Sequence, residues 1–122
     1  MSISSGAYVE FVKDQLISLR GVSTGRFFGG MGLSSEGTQF AMIMGNALYF
    51  VVDDSTRLKY EKMGSNCFSY STKKGRIDVR KYYAVPTEVM EQQEQLVALA
   101  RESISIAEQS KSSPTGRPTE RA

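Results

Sequence analysis

The sequence predicts an α+β domain: a largely antiparallel sheet of about five strands flanked by helices, in the order α-β-β-β-α-β-β-α. Three observations predict it. Apolar residues recur at helical spacing near both ends of the chain. Between them, short segments alternate apolar and polar side chains with the period of a strand. Where no helix intervenes, neighbouring strands are joined by links short enough only for hairpins, which makes the sheet antiparallel. The 122 residues suit one domain and bury enough surface to fold without a metal or a disulfide.

The first helix is capped by Ser4 or Ser5 and carries Tyr8, Val9, Val12, Leu16 and Leu19 on one face. Arg20-Gly21 is its stop signal, a cation in the last turn followed by glycine. Gly25 to Leu33 mixes aromatics with four glycines and reads as one irregular first strand, bulged and in contact with that helix. After a turn at Ser34–Gly37, Thr38 to Met44 alternates. Phe40, Met42 and Met44 fall on one face, and Gln39, Ala41 and Ile43 on the other. Gly45-Asn46 suits a two-residue type II′ loop, with a strand from Ala47 to Val52 returning.

Asp53-Asp54-Ser55 caps a short helix that ends at Met63-Gly64. Cys67 to Thr72 alternates as a strand, Lys73-Lys74-Gly75 turns the chain, and Ile77-Asp78-Val79 begins the return. Strict alternation there would aim Lys81 inward, so a bulge near Arg80-Lys81 is expected to put Tyr82 on the apolar side. Pro86-Thr87 opens the last helix, with Val89, Leu96, Val97, Ala100, Ile104 and Ala107 on one stripe. The domain is expected to span 1–109, and the polar stretch 110–122 to be a disordered tail.

Composition narrows the chemistry. The chain has no histidine, which removes histidine bases, histidine ligands and Ser–His or Cys–His nucleophile pairs. Its one cysteine, Cys67, lacks a neighbour to activate it and reads as a structural thiol suited to a reducing cytoplasm. The longest apolar run, Ala47–Val52, is too short to cross a membrane, and the N-terminus carries no secretion signal. The six methionines read as core filling. Asp53, Asp54 and Asp78 would have to converge in one pocket to make an acid–base site, and capping explains the first two better. Catalytic residues, metal ligands and cofactor-binding residues are therefore expected to be none.

Two surfaces are candidates for binding. The glycine-rich segment lacks the lysine of a phosphate-binding loop, but Arg26 either caps carbonyls of the preceding loop or, with Phe28, Gly29 and Gly30, offers a fixed guanidinium beside an aromatic to a protein partner. Charge supplies the other: residues 57–81 hold eight cations against two anions, and residues 82–110 five glutamates against one arginine. Lys73, Lys74, Arg76, Arg80 and Lys81, beside Tyr70, Tyr82 and Tyr83, suit weak and salt-dependent contact with phosphates and bases. A solvated hairpin that protects its own edge is the plainer reading of the same charges.

Arg26-Phe27-Phe28-Gly29-Gly30-Met31-Gly32-Leu33 resembles the Arg-x-(Met/Phe)-Phe-Gly-Gly-x-Gly-like element after the first helix of the N-terminal domain in TfoX/Sxy competence regulators. The likeness continues through Gly37-Thr38-Gln39-Phe40-Ala41, Leu48-Tyr49 and Asp53. It then runs through Arg57-x-x-Tyr60-Glu61-x-x-Gly64, Phe68-x-Tyr70 and Tyr82-Tyr83-Ala84-Val85-Pro86, covering roughly residues 8–105. Between Ile77 and Tyr82 the chain is one residue longer than the family's pattern, as a bulge requires. The resemblance implies a bacterial α+β module without enzymatic activity or cofactor. Full-length relatives regulate DNA-uptake genes alongside the cyclic-AMP receptor protein. This chain is expected to be a stand-alone module without the helical C-terminal domain. A cytoplasmic regulator that binds another protein, such as a component of the transcription machinery, is the leading expectation. Nucleic-acid binding through the hairpin at 73–81 is the alternative. No membrane contact is expected, and a homodimer through a sheet edge or the last helix is compatible with the sequence.

Overall fold

A computed structural model of the chain describes residues 6–27 and 29–112. Helix α1 (Gly6–Gln15) is followed by strands β1 (Val22–Phe27), β2 (Gly30–Ser35), β3 (Thr38–Met44) and β4 (Ala47–Val51). Helix α2 (Asp54–Lys62), strands β5 (Cys67–Thr72) and β6 (Gly75–Ala84), and helices α3 (Thr87–Met90) and α4 (Gln93–Ser112) complete the order. All strand pairs are antiparallel, in the spatial order β1-β2-β3-β4-β6-β5. The α+β class is as the sequence predicts, with six strands among the described residues rather than about five. No helix among the described residues is long and apolar enough to cross a membrane.

The extra strand comes from the glycine-rich segment. It is a hairpin, β1 and β2, and not one bulged strand against the first helix. Gly29 at the turn has φ +81°, a conformation glycine adopts at little cost. Gly32 pairs with Gly25 across this hairpin and with Met42 on its other side. Helix α1 is shorter than Arg20-Gly21 suggests. It ends at Gln15, and turns carry the buried Leu16 and Leu19 onward.

Helices cover one face of the sheet. Leu33, Ala41, Ile43, Leu48, Phe50 and Tyr83 point to that side, where Val12, Leu16, Leu96 and Ala100 fill the core. Ser103 of α4 is 1% exposed and donates to the Val51 carbonyl at 2.8 Å, so α4 is hydrogen-bonded to the sheet as well as packed on it. The expected single last helix is two. In a continuous helix the Met90 carbonyl would accept from residue 94, but the Gln15 side chain donates to it at 2.8 Å. Gln93 Nε2 reaches back to the Gln15 carbonyl at 3.2 Å, so α1 and the α3–α4 junction clasp each other. Helix α4 runs through Ser112, and the remainder of the expected tail, residues 113–122, lies outside the described residues.

Candidate functional site

Two departures from strict alternation decide what reaches the other face. Along β3 the register against β2 shifts, so Leu33 opposes Ala41 while Ser34 opposes Gln39, and Phe40 is the extra residue. Phe40 therefore turns to the helix-covered side with Ala41, where its ring lies 6.1 Å from that of Phe50. Gln39 joins Met42 and Met44 on the opposite face. This corrects the face assignment of Phe40 and Gln39 that simple alternation gives. On β6, Val79 opposes Phe68 but Tyr83 opposes Cys67, so residues 80–82 bulge. The expected bulge is there, and it brings Tyr82 beside Val79 on the same side.

These irregularities curl the sheet. In a flat sheet, β1 and β6 would lie about 19 Å apart, four strand spacings. Instead the rings of Phe27 and Tyr82 are 6.2 Å apart. The curl encloses a cavity of about 360 Å³ on the face away from the helices. Its walls are Phe27 from β1, Met42 and Met44 from β3, Phe68 and Tyr70 from β5, and Val79 with Tyr82 from β6. Phe68 is itself braced by Tyr49, edge to face at 5.3 Å. Tyr82 is 6% exposed; its hydroxyl oxygen accepts from Gln39 Nε2 at 3.2 Å, and burial pushes its phenol up against a smaller opposing effect of that bond.

Gly30 and Gly32 make the cavity floor possible. A Cβ on Gly30 would sit 2.3 Å from the Ile43 carbonyl oxygen and 2.5 Å from Met44 Sδ. A Cβ on Gly32 would fall 2.8 Å from Gln39 Oε1. Both glycines are thus receptacles for neighbouring side chains, and Gly30 serves packing more than partner contact. Arg26 is exposed on the edge strand β1 and makes no ion pair among the described residues. Gly29 is exposed at the hairpin turn, and Phe28 lies outside the described residues.

The basic hairpin is spread rather than clustered. Lys73 and Lys74 are exposed at its tip, in a turn closed by Thr72, whose hydroxyl donates to the Gly75 carbonyl at 3.0 Å. Arg76 is paired with Asp78 at 2.8 Å. Arg80 and Lys81 are exposed in the bulge, roughly 17 Å from the tip along the strand. Of the three tyrosines, only Tyr70 is open to a base, at 49% exposed; Tyr82 and Tyr83 are buried. Tyr83 instead donates to Glu61 at 2.6 Å, and burial, then Glu61, pushes its phenol up.

The three aspartates have separate employment. Asp53 caps α2 through the Ser55 and Thr56 amides, Asp54 pairs with Arg57 at 2.8 Å, and Asp78 holds Arg76. Cys67 is half-buried on β5.

The profile of the TfoX N-terminal domain matches residues 14–107, from the end of α1 to the last turns of α4. The chain belongs to the TfoX N-terminal domain family. In this TfoX N-terminal domain the glycine element of the resemblance is the β1–β2 hairpin, whose glycines seat Met44 and Gln39. No curated protein matches the chain. Sequence reasoning missed Met42, Met44 and Val79 as one lining, and Gln39 as the partner of Tyr82 beside it, since that arrangement needs two bulges to assemble. The signals for it were the glycines at 30 and 32 and the misfit of Lys81.

Proposed function

We propose that this TfoX N-terminal domain is a non-catalytic regulatory module of the bacterial cytoplasm that works by binding another protein, a component of the transcription machinery being the partner its family suggests. The supporting observation is the edge strand β1. Among the described residues its outer side has no neighbouring strand and the Arg26 guanidinium no ion-pair partner, and Ser23 to Arg26 are exposed along it. Such an edge accepts an extended segment through main-chain hydrogen bonds, with the exposed Arg26 pairing a carboxylate of that segment. Affinity capture from native lysate tests the reading: Arg26→Glu is expected to lose partners that wild type retains. Identical partners for both would reject the surface.

A second reading rests on Lys73, Lys74, Arg80 and Lys81, four exposed cations without ion pairs among the described residues. If all four reach phosphate, binding has a Kd on the order of 10⁻⁴–10⁻⁶ M and weakens steeply with salt. Lys73→Glu with Lys74→Glu is expected to weaken it further. A flat salt response or an unchanged mutant would count against it.

A further inference from the structure

We propose that the cavity inside the curled sheet binds a small, neutral, flat aromatic molecule carrying one hydrogen-bond acceptor. The proposal does not rest on a protein docked at the outer edge of β1, although Phe27 of that strand forms one wall. Its volume of about 360 Å³ falls within the roughly 300–1,000 Å³ typical of ligand pockets. Its lining is almost wholly apolar and aromatic, which sets it apart from more polar clefts of similar size elsewhere on the molecule.

The lining states the chemistry of the occupant. Among the described residues no carboxylate, lysine or arginine borders the cavity, so a charged molecule would lose its hydration without a counter-charge. A neutral one loses little. Phe27, Phe68 and Tyr70 offer ring faces and edges, and Met42 and Met44 offer polarizable sulfur, all of which favour an aromatic over an aliphatic guest.

Tyr82 supplies the polar contact. Its oxygen is occupied by Gln39, but its proton has no acceptor among the described residues. The hydroxyl keeps a proton to donate, and a ligand carbonyl or ring nitrogen would accept it. Burial also keeps this phenol protonated, and so a donor.

Several irregularities of the chain converge here. Gly30 makes room for Met44, Gly32 makes room for Gln39, the bulge at Phe40 turns Gln39 to this face, and the bulge at residues 80–82 delivers Tyr82. The two bulges depart from regular strand geometry, the two glycines withhold a side chain, and all four act on the residues around the cavity.

Fluorescence titration of the purified chain with 6-propionyl-2-(dimethylamino)naphthalene, a neutral naphthyl ketone, tests the proposal. The expected result is saturable one-to-one binding with blue-shifted emission. Tyr82→Phe is expected to weaken binding about 3- to 10-fold, with a modestly lower melting temperature from the Gln39 amide it leaves unpaired. Val79→Trp, at the half-buried rim, fills the space and is expected to abolish saturation. Leu58→Ser, on the exposed surface of α2, should leave the affinity as in wild type. Lack of saturable binding to wild type, or an affinity unaltered by Val79→Trp, would overturn the site. An affinity unaltered by Tyr82→Phe would overturn its hydrogen bond.

Discussion

Tyr60 shows how one atom sets a residue's contribution. Its ring is 1% exposed and stacks edge to face on Tyr83 at 6.3 Å, yet its hydroxyl has no hydrogen bond of good geometry among the described residues. Ser103 lies nearby but gives its proton to the Val51 carbonyl. Burial pushes the Tyr60 phenol far above the ordinary tyrosine value, with Ser103 opposing only in part. Tyr60→Phe removes a polar atom without a partner, and is expected to leave stability unchanged or raise it by about 1 kcal/mol at pH 7. The pH dependence has a definite sign. Above about pH 10 the unfolded chain ionises its tyrosine first, so stability falls as pH rises towards the higher folded value. Thermal melts at pH 7 and above pH 10 should show a shallower alkaline loss for Tyr60→Phe than for wild type.

Gly30 is the opposite case, a residue that matters for what it lacks. Gly30→Ala would drive a methyl into the Ile43 carbonyl, and a destabilisation of about 1–3 kcal/mol is expected in denaturant titration. The glycines were conspicuous in the sequence, but their role was not. Which atoms fill the space above a glycine depends on strands that the local sequence does not specify.

Among the elements, α2 was the most legible. Asp53 accepts from the Thr56 amide at 2.9 Å, the Thr56 hydroxyl accepts from the Asp53 amide at 2.9 Å, and Gly64 follows the C-terminus with φ +85°. These are local contacts, so local residues announce them. The Thr56 amide, then the two neighbouring hydroxyls, holds the Asp53 carboxyl below the usual aspartate range against slight desolvation. Its stabilisation is therefore present above the unfolded value near 3.9 and is lost as pH falls through the lower folded value. Asp53→Ala is expected to lower stability by about 1 kcal/mol at pH 7, and Asp53→Asn by much less, as read from urea midpoints. The β3–β4 hairpin was equally legible, because Gly45 at φ +60° suits the first position of its II′ turn. The broken last helix was not. Its interruption is enforced by Gln15, 75 residues earlier in the chain, and no periodicity within 86–112 records that.

At the scale of the whole molecule, fold class and element order follow from periodicity and hairpin chemistry, whereas the curl and its cavity follow from register. A one-residue shift exchanges the faces of a strand, and pattern alone exposes such a shift only where it leaves a misfit. Lys81 was such a misfit; Phe40, apolar on either face, was not. The clasp between α1 and the α3–α4 junction is the clearest long-range contact on the helical side. Gln15→Leu is expected to cost about 0.5–1.5 kcal/mol, and a double-mutant cycle with Gln93→Leu should show coupling between the two positions.

That clasp also orders events in time. During synthesis all six strands have left the ribosome once Ala84 emerges, but the helix that covers them comes later. Until then Leu33, Ile43 and Phe50 lack their roof, and the nascent chain carries an adhesive surface through that interval. Because α4 covers the apolar face of the sheet, truncation within it is expected to yield aggregation rather than a smaller native domain.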